Sequence, residues 1–199
     1  MTSSDPATPA SRVPRQDNRR QHLLDSAARL FRERGYRATS MRDIAKAVGM
    51  LSGSIYYHFT SKEEILQAVY ETGLRHISDR FDNAVAGETD PWRRLEAGCV
   101  AHMVAVHELS DYSQVMIRVL PQEGGSVAVQ LLELRDQYEA RFRRLIDALD
   151  LPPGTDRHYL RLMLIGGMNW SHVWYHPGRD SPADVAQRMV ALIRNGYER

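Results

Sequence analysis

The chain reads as an all-α fold. Apolar residues recur three and four positions apart along most of its length, and no stretch sustains the alternation of a half-buried strand. The pattern is interrupted only where Pro and Gly gather: Gly87 to Pro91, Pro121, Gly124-Gly125, Pro152-Pro153-Gly154 and Pro177-Gly178. About nine helices fit between these breaks.

Each follows from local chemistry. Residues 1–18 are rich in Ser, Thr, Pro and Ala without helical period, as expected of a flexible tail. Arg12, Arg15, Arg19 and Arg20 lead into the first helix. Two readings stay open for them, an arm along a DNA groove and a merely solvated tail. Helix one spans Arg19 to Arg34, with Leu23, Leu24, Ala27, Leu30 and Phe31 on one face. Thr39 or Ser40 caps a short helix through Ile44, Ala45 and Val48, and Asp43 completes a capping-box pair. Gly49 follows, where a left-handed turn costs least. A further short helix covers Ser52 to Phe59, with Ile55 and Phe59 inward. Ser61 and Glu64 box the next start, and that helix continues towards Phe81. It is longer than a three-helix head needs, so its far end should pack on a second domain. The expected division is a tail at 1–18, a head at 19–66 and a body at 67–199.

In the body, helical runs cover Trp92–His107, Tyr112–Leu120, Val127–Leu149 and Asp156–Tyr175. Ser181-Pro182 supplies a cap and first-turn proline for a last helix ending near Tyr197.

The two short helices around Gly49 form a helix-turn-helix, whose second helix enters the major groove. Small residues at the start of that helix allow close approach. Ser52, Gly53 and Ser54 do so, and their hydroxyls and amides can bond phosphates or base edges. Tyr56, Tyr57 and His58 lie on the outer faces. Tyr56, Tyr57 and Lys62 suit the backbone, whereas Arg42, Ser52 and Ser54 suit base reading. The bland alternative is an ordinary turn with surface tyrosines.

These motifs closely resemble the DNA-binding domain of TetR-family regulators. The segments that carry the resemblance are Leu30-Phe31-Arg32-Glu33-Arg34-Gly35-Tyr36, Thr39 to Ala45, Ser52 to Phe59 and Ser61 to Leu66, in order and register over about Arg19–Val69. The family usually places a capping serine where this chain has Leu51, so the cap is expected to pass to Ser52. Leu51-Ser52-Gly53 and the run Trp170 to Gly178 are similar to a branch that includes mycobacterial steroid-catabolism repressors. The resemblance implies a homodimer on a palindromic operator, released by a small molecule. The branch similarity points to an apolar acid or acyl-CoA as effector. A multidrug or aromatic-ligand sensor and an effector-independent architectural binder stand as alternatives.

Charge agrees with a DNA head. Residues 1–60 carry a formal +5 and the remainder −4. No apolar run is long enough to span a bilayer and no signal-peptide core follows Met1, so a cytoplasmic protein without membrane association is expected. Cys99 is the single cysteine, which excludes an internal disulfide.

The last two helices are apolar on more than one side, which calls for cover. A second copy would supply it, through Met163, Gly167, Trp174, Val185, Met189, Leu192 and Ile193, in a two-fold four-helix interface. Burial against the preceding helices of the same chain is the other reading. The resemblance also implies an effector pocket between the body helices. Candidate lining residues are Met103, His107, Met116, Arg118, Tyr138, Phe142, Asn169 and Trp170, each of which also suits plain core packing. Asn169 stands out, because an amide in an apolar helix needs partners.

Other chemistries fare worse. His172 and His176 share a helical face at four-residue spacing, but two histidines do not make a metal site, and no cofactor is expected. Cys99 sits in an apolar stripe that disfavours a reactive thiol. No phosphate loop, nucleophile elbow or ligand cluster suggests an enzyme.

Overall fold

The computed structural model describes residues 15–108 and 110–197, with the side chains of 15–17 outside that description. Most of the expected tail, including Arg12, therefore lies outside the described residues. Among these the chain is helical, with no strand. The order is α1 (Arg15–Arg34), α2 (Met41–Ala47), a 3-10 turn (Ser54–Tyr57), α3 (Lys62–Ala86), α4 (Pro91–His107), α5 (Asp111–Arg118), a 3-10 stretch (Pro121–Val127), α6 (Ala128–Asp147), α7 (Arg157–Asn169), α8 (Ser171–Trp174) and α9 (Pro182–Tyr197).

Caps set several starts. Ser40 Oγ accepts from Asp43 N–H at 3.2 Å, and the Asp43 carboxylate accepts from Ser40 N–H at 2.9 Å. The Ser40 hydroxyl, then its amide, holds that carboxyl below its usual range. Ser61 caps α3, but Glu64 returns its bond to Thr60 N–H at 2.6 Å rather than to Ser61. Ser181 and Asp184 exchange the same reciprocal pair ahead of α9.

Two cores are formed. The first joins Leu23, Phe31, Ile44, Ile55 and Phe59 to Ile65, Val69 and Tyr70 of α3. It is not confined to the head, since Val115 and Val119 around α5 and Leu131 of α6 complete it. The second joins Leu74, Phe81 and Val85 of α3 to Leu95, Met103, Phe142 and Leu164. The expectation that the far end of α3 packs on the body is met.

Two segments depart from the sequence reading. The helix expected over Ser52–Phe59 is only the one-turn 3-10 coil. Ser52 does not cap it; Gly53 holds the cap position and offers no side chain. The bonds Ser54 N–H to Leu51 O and His58 N–H to Ile55 O, both 2.9 Å, wind the backbone tightly. The long helix expected over Asp156–Tyr175 breaks at Trp170, where Val173 N–H turns to Trp170 O at 3.0 Å. Buried Ser171 is held there by His107 Nε2 at 2.8 Å.

Gly98 lets α4 approach its neighbours closely. A Cβ there would lie 2.7 Å from Phe81 Cζ and 3.0 Å from Leu145 Cδ1. Overpacking of this kind costs about 1–3 kcal/mol. Gly98→Ala should lower the thermal midpoint by roughly 2–12 °C in a melting experiment.

Candidate nucleic-acid interface and effector cavity

Gly49, at φ 67°, makes the turn between α2 and the 3-10 coil. Ile55 and Phe59 are anchored in the core, which turns the rest of the segment outward. Tyr57 is 90% exposed and Tyr56 55%; Arg42, Ser52 and Gly53 are exposed, while Ser54 and His58 are half-buried. The structure thus brings Ser52, Gly53, Ser54, Tyr56 and Tyr57 together on one short outward segment. Leu51, read from sequence only as a missing cap, is 80% exposed beside them. An aliphatic side chain this exposed has no packing role within the chain, and it is suited to a thymine methyl.

Lys62 differs from its expected role. Its ammonium donates to Tyr36 O and Thr39 O, both at 2.9 Å, and lies 4.3 Å from the Tyr36 ring centroid. It braces the turn before α2 rather than projecting freely towards a phosphate. Arg20 lies over the Phe59 ring at 4.8 Å, which ties α1 to the same unit.

The head is joined to the body through α5. Arg32 and Asp111 form an ion pair at 2.7 Å. Tyr112 Oη donates to Asp25 at 2.7 Å and accepts from Gln21 at 3.0 Å. Tyr70 Oη donates to Val119 O, just beyond α5. The last turn of α5 and the residues after it, Met116, Ile117 and Leu120, line a cavity.

That cavity measures about 290 Å³, at the small end for ligand sites. Its wall is mainly apolar, including Leu74, Ile77, Val106 and Ile165. Four sequence candidates line it: Met116, Tyr138, Asn169 and Trp170. The other four do not. Met103 and Phe142 are fully buried in the second core, Arg118 is exposed, and His107 is engaged with Ser171 and stacks near Tyr175. Lining residues missed from sequence include Arg135, His172 and above all His102. Buried His102 has Nδ1 2.9 Å from Tyr138 Oη and Nε2 3.1 Å from Asn169 Oδ1. Burial lowers its pKa to about 4, so it stays neutral at physiological pH. Its signal in the sequence was its helical phase with Leu95, Cys99 and Met103.

The apolar surface expected at a dimer contact divides. Met163 (62% exposed), Trp174 (43%) and Leu192 (74%) are open, beside exposed Tyr159, Trp170 and Val173. Val185, Met189 and Ile193 are half-buried against the second core of their own chain. Gly167 also faces inward, since a Cβ on it would lie 2.9 Å from Met189 Cε. His172 and His176 do not share a helical face, because α8 ends at Trp174 and His176 follows it. No group of three metal-ligating side chains occurs among the described residues. Cys99 is buried, and desolvation pushes its thiol upward.

Residues 23–69 match bacterial regulatory proteins of the tetR family, and residues 88–197 match a tetracyclin repressor-like C-terminal domain. The chain belongs to the TetR family of DNA-binding transcriptional regulators. Among its relatives is the HTH-type transcriptional repressor KstR2 of Mycobacterium tuberculosis, 32% identical over 90% of this chain and 93% of that protein. KstR2 of Rhodococcus jostii is 31% identical over 94% and 95%. The solved structure of the ketosteroid transcriptional regulator KstR2 of M. tuberculosis superposes with TM-score 0.63 at 30% identity, covering 90% of this chain and 94% of that one. The function is that of a TetR-type transcriptional repressor, a class that binds operator DNA as dimers. Among the described residues, no helix is long and apolar enough to cross a membrane.

Two outcomes follow. Lys62→Met, which keeps the stem but removes the ammonium and its two hydrogen bonds, should destabilise the fold by about 1–3 kcal/mol in urea unfolding. The salt slope of DNA binding separates two roles: it should stay unchanged where the two carbonyl bonds are the whole function of Lys62, and fall by about one per contact where the third N–H meets a phosphate. The second concerns His102. Unfolded histidine protonates near pH 6.5, whereas the folded imidazole stays neutral to about pH 4. The unfolded chain therefore binds more protons between these values. This contribution is complete above about pH 6.5 and is lost as pH falls. Between pH 7 and pH 5 it amounts to about 2 kcal/mol. His102→Gln should remove that increment when unfolding free energies of the two proteins are compared at both pH values.

Proposed function

We propose that this repressor binds a near-palindromic operator as a homodimer and is released when an apolar effector enters the body cavity. The observation that carries the reading is the double contact of α5. Its first turn holds α1 through Asp111 and Tyr112, and its last turn forms cavity wall through Met116 and Ile117. A ligand pressing on that wall acts on the head. α5 is the shorter path between cavity and head, with α3 as the spine common to both. An allosteric coupling of about 1–3 kcal/mol changes operator affinity roughly 5–150-fold.

The division into a DNA-binding head and an effector-binding body follows the family, with α3 shared between them. Arg42, Ser52, Gly53, Ser54, Tyr56, Tyr57 and His58 are the proposed DNA residues, joined by Leu51. Two heads on a two-fold axis meet half-sites about 34–36 Å apart, or a multiple of that distance. The open apolar face of α7 and α9 is the proposed dimer contact. The chain is read as a cytoplasmic regulator without catalytic activity.

For the effector, an acyl or ring system suits the apolar wall. The cavity has room for about ten water molecules' worth of ligand. A coenzyme A moiety would have to remain outside it, with Arg135 as the lining cation and His172 as a further polar group of the wall. The description of KstR2 of M. tuberculosis as a ketosteroid regulator supports an apolar ring compound. Titrating the operator complex with acyl-CoAs, free acids and unrelated aromatic drugs decides the class. Release by acyl-CoAs or their acids supports the reading. Release by the drugs alone assigns a multidrug sensor, and release by none assigns an architectural binder.

Leu192→Glu would place two charges near the two-fold axis, at a cost of several kcal/mol to association. Since Leu192 is open in the single chain, that chain should still fold. The variant should sediment as a monomer and lose operator affinity; an unchanged dimer mass would move the contact elsewhere.

A further inference from the structure

The cavity holds one polar group whose direction is fixed by a buried relay. Tyr138 is buried, and its hydroxyl has a single hydrogen-bond partner among the described residues, His102 Nδ1 at 2.9 Å. The hydroxyl hydrogen must go there, because a buried donor without an acceptor costs more than an ordinary hydrogen bond gains. Nδ1 then accepts, and the proton of the neutral ring sits on Nε2. Nε2–H donates to its neighbour on Asn169 at 3.1 Å, which must therefore be the amide oxygen. The amide cannot flip without setting its NH₂ against Nε2–H. Asn169 ends α7 and lines the cavity, and its Nδ2 has no partner among the described residues.

We infer that Asn169 Nδ2 is a preset donor that selects ligands carrying a hydrogen-bond acceptor, a carbonyl oxygen above all, on an otherwise apolar body. The relay Tyr138–His102–Asn169 sets the sign of this recognition. A hydrocarbon leaves the amide unpaired, and a donor-only group meets another donor. Asn169 contacts the ligand; His102 and Tyr138 are positioning residues. The inference rests on the cavity being the effector site.

The test uses three probes of one shape, 2-tetralone, tetralin and protonated 2-aminotetralin, with dissociation constants measured calorimetrically on the full-length protein. The wild type should bind the ketone up to about tenfold more tightly than the hydrocarbon. Asn169→Leu should remove that preference, bringing the ketone-to-tetralin affinity ratio to about one. Asn169→Asp still accepts from His102 but offers no donor, and it should shift preference to the ammonium probe. Tyr138→Phe should lower the ketone-to-tetralin affinity ratio, because the ring tautomer is no longer held; a tyrosine that only shapes the wall would change all three probes together and leave that ratio as it was. Equal binding of ketone and hydrocarbon to the wild type, or a ketone preference that survives in both Asn169 variants, overturns the inference and leaves the cavity reading standing. Failure of all three probes to bind the wild type overturns it together with that reading.

Discussion

One continuous helix runs through both hydrophobic cores, and the remaining architecture is arranged around it. α3 buries Ile65, Leu66, Val69 and Tyr70 in the first core, then Leu74, Phe81 and Val85 in the second. Neither core can be repacked without disturbing a helix that the other also holds. The head is therefore not a bead on a string. Its pose is set by the body, through α3 along its length and through α5 at its side.

The second link is polar. Arg32–Asp111 and the Gln21–Tyr112–Asp25 chain hold α1 against α5, while the hydroxyl of Tyr70 holds the backbone where α5 ends. Taken together, these contacts are worth about as much as a typical coupling free energy between two sites. A repressor with this arrangement can be switched by their loss or realignment. No large deformation of a core is required.

Much of the fold was legible because its signals are local. Ser40–Asp43, Ser61–Glu64 and Ser181–Asp184 mark helix starts by short-range bonding, and Pro and Gly mark the ends. The surface of the recognition segment was legible for the same reason, since Ile55 and Phe59 fix which residues remain outside. What the sequence concealed depends on distant partners. The break at Trp170 owes its position to Ser171 meeting His107, 64 positions earlier. Lys62 looked like a phosphate ligand because nothing nearby in sequence shows that Tyr36 O and Thr39 O converge on it. Of the cavity candidates, Met103 and Phe142 belong to the core, while His102 was passed over; helical phase gives a face, not which neighbour fills it.

The 3-10 coil has a further consequence. Its attachment to the protein rests on Ile55 and Phe59, and the residues between and before them touch little else. Leu51, Ser52, Tyr56 and Tyr57 can be exchanged without removing a buried contact. Sequence drift at these positions is nearly free of selection for folding. Descendants of one ancestral regulator can then acquire new target sites while the helices that sense the signal stay as they were. The same separation makes this segment a natural cassette for rewiring which genes answer to a given small molecule.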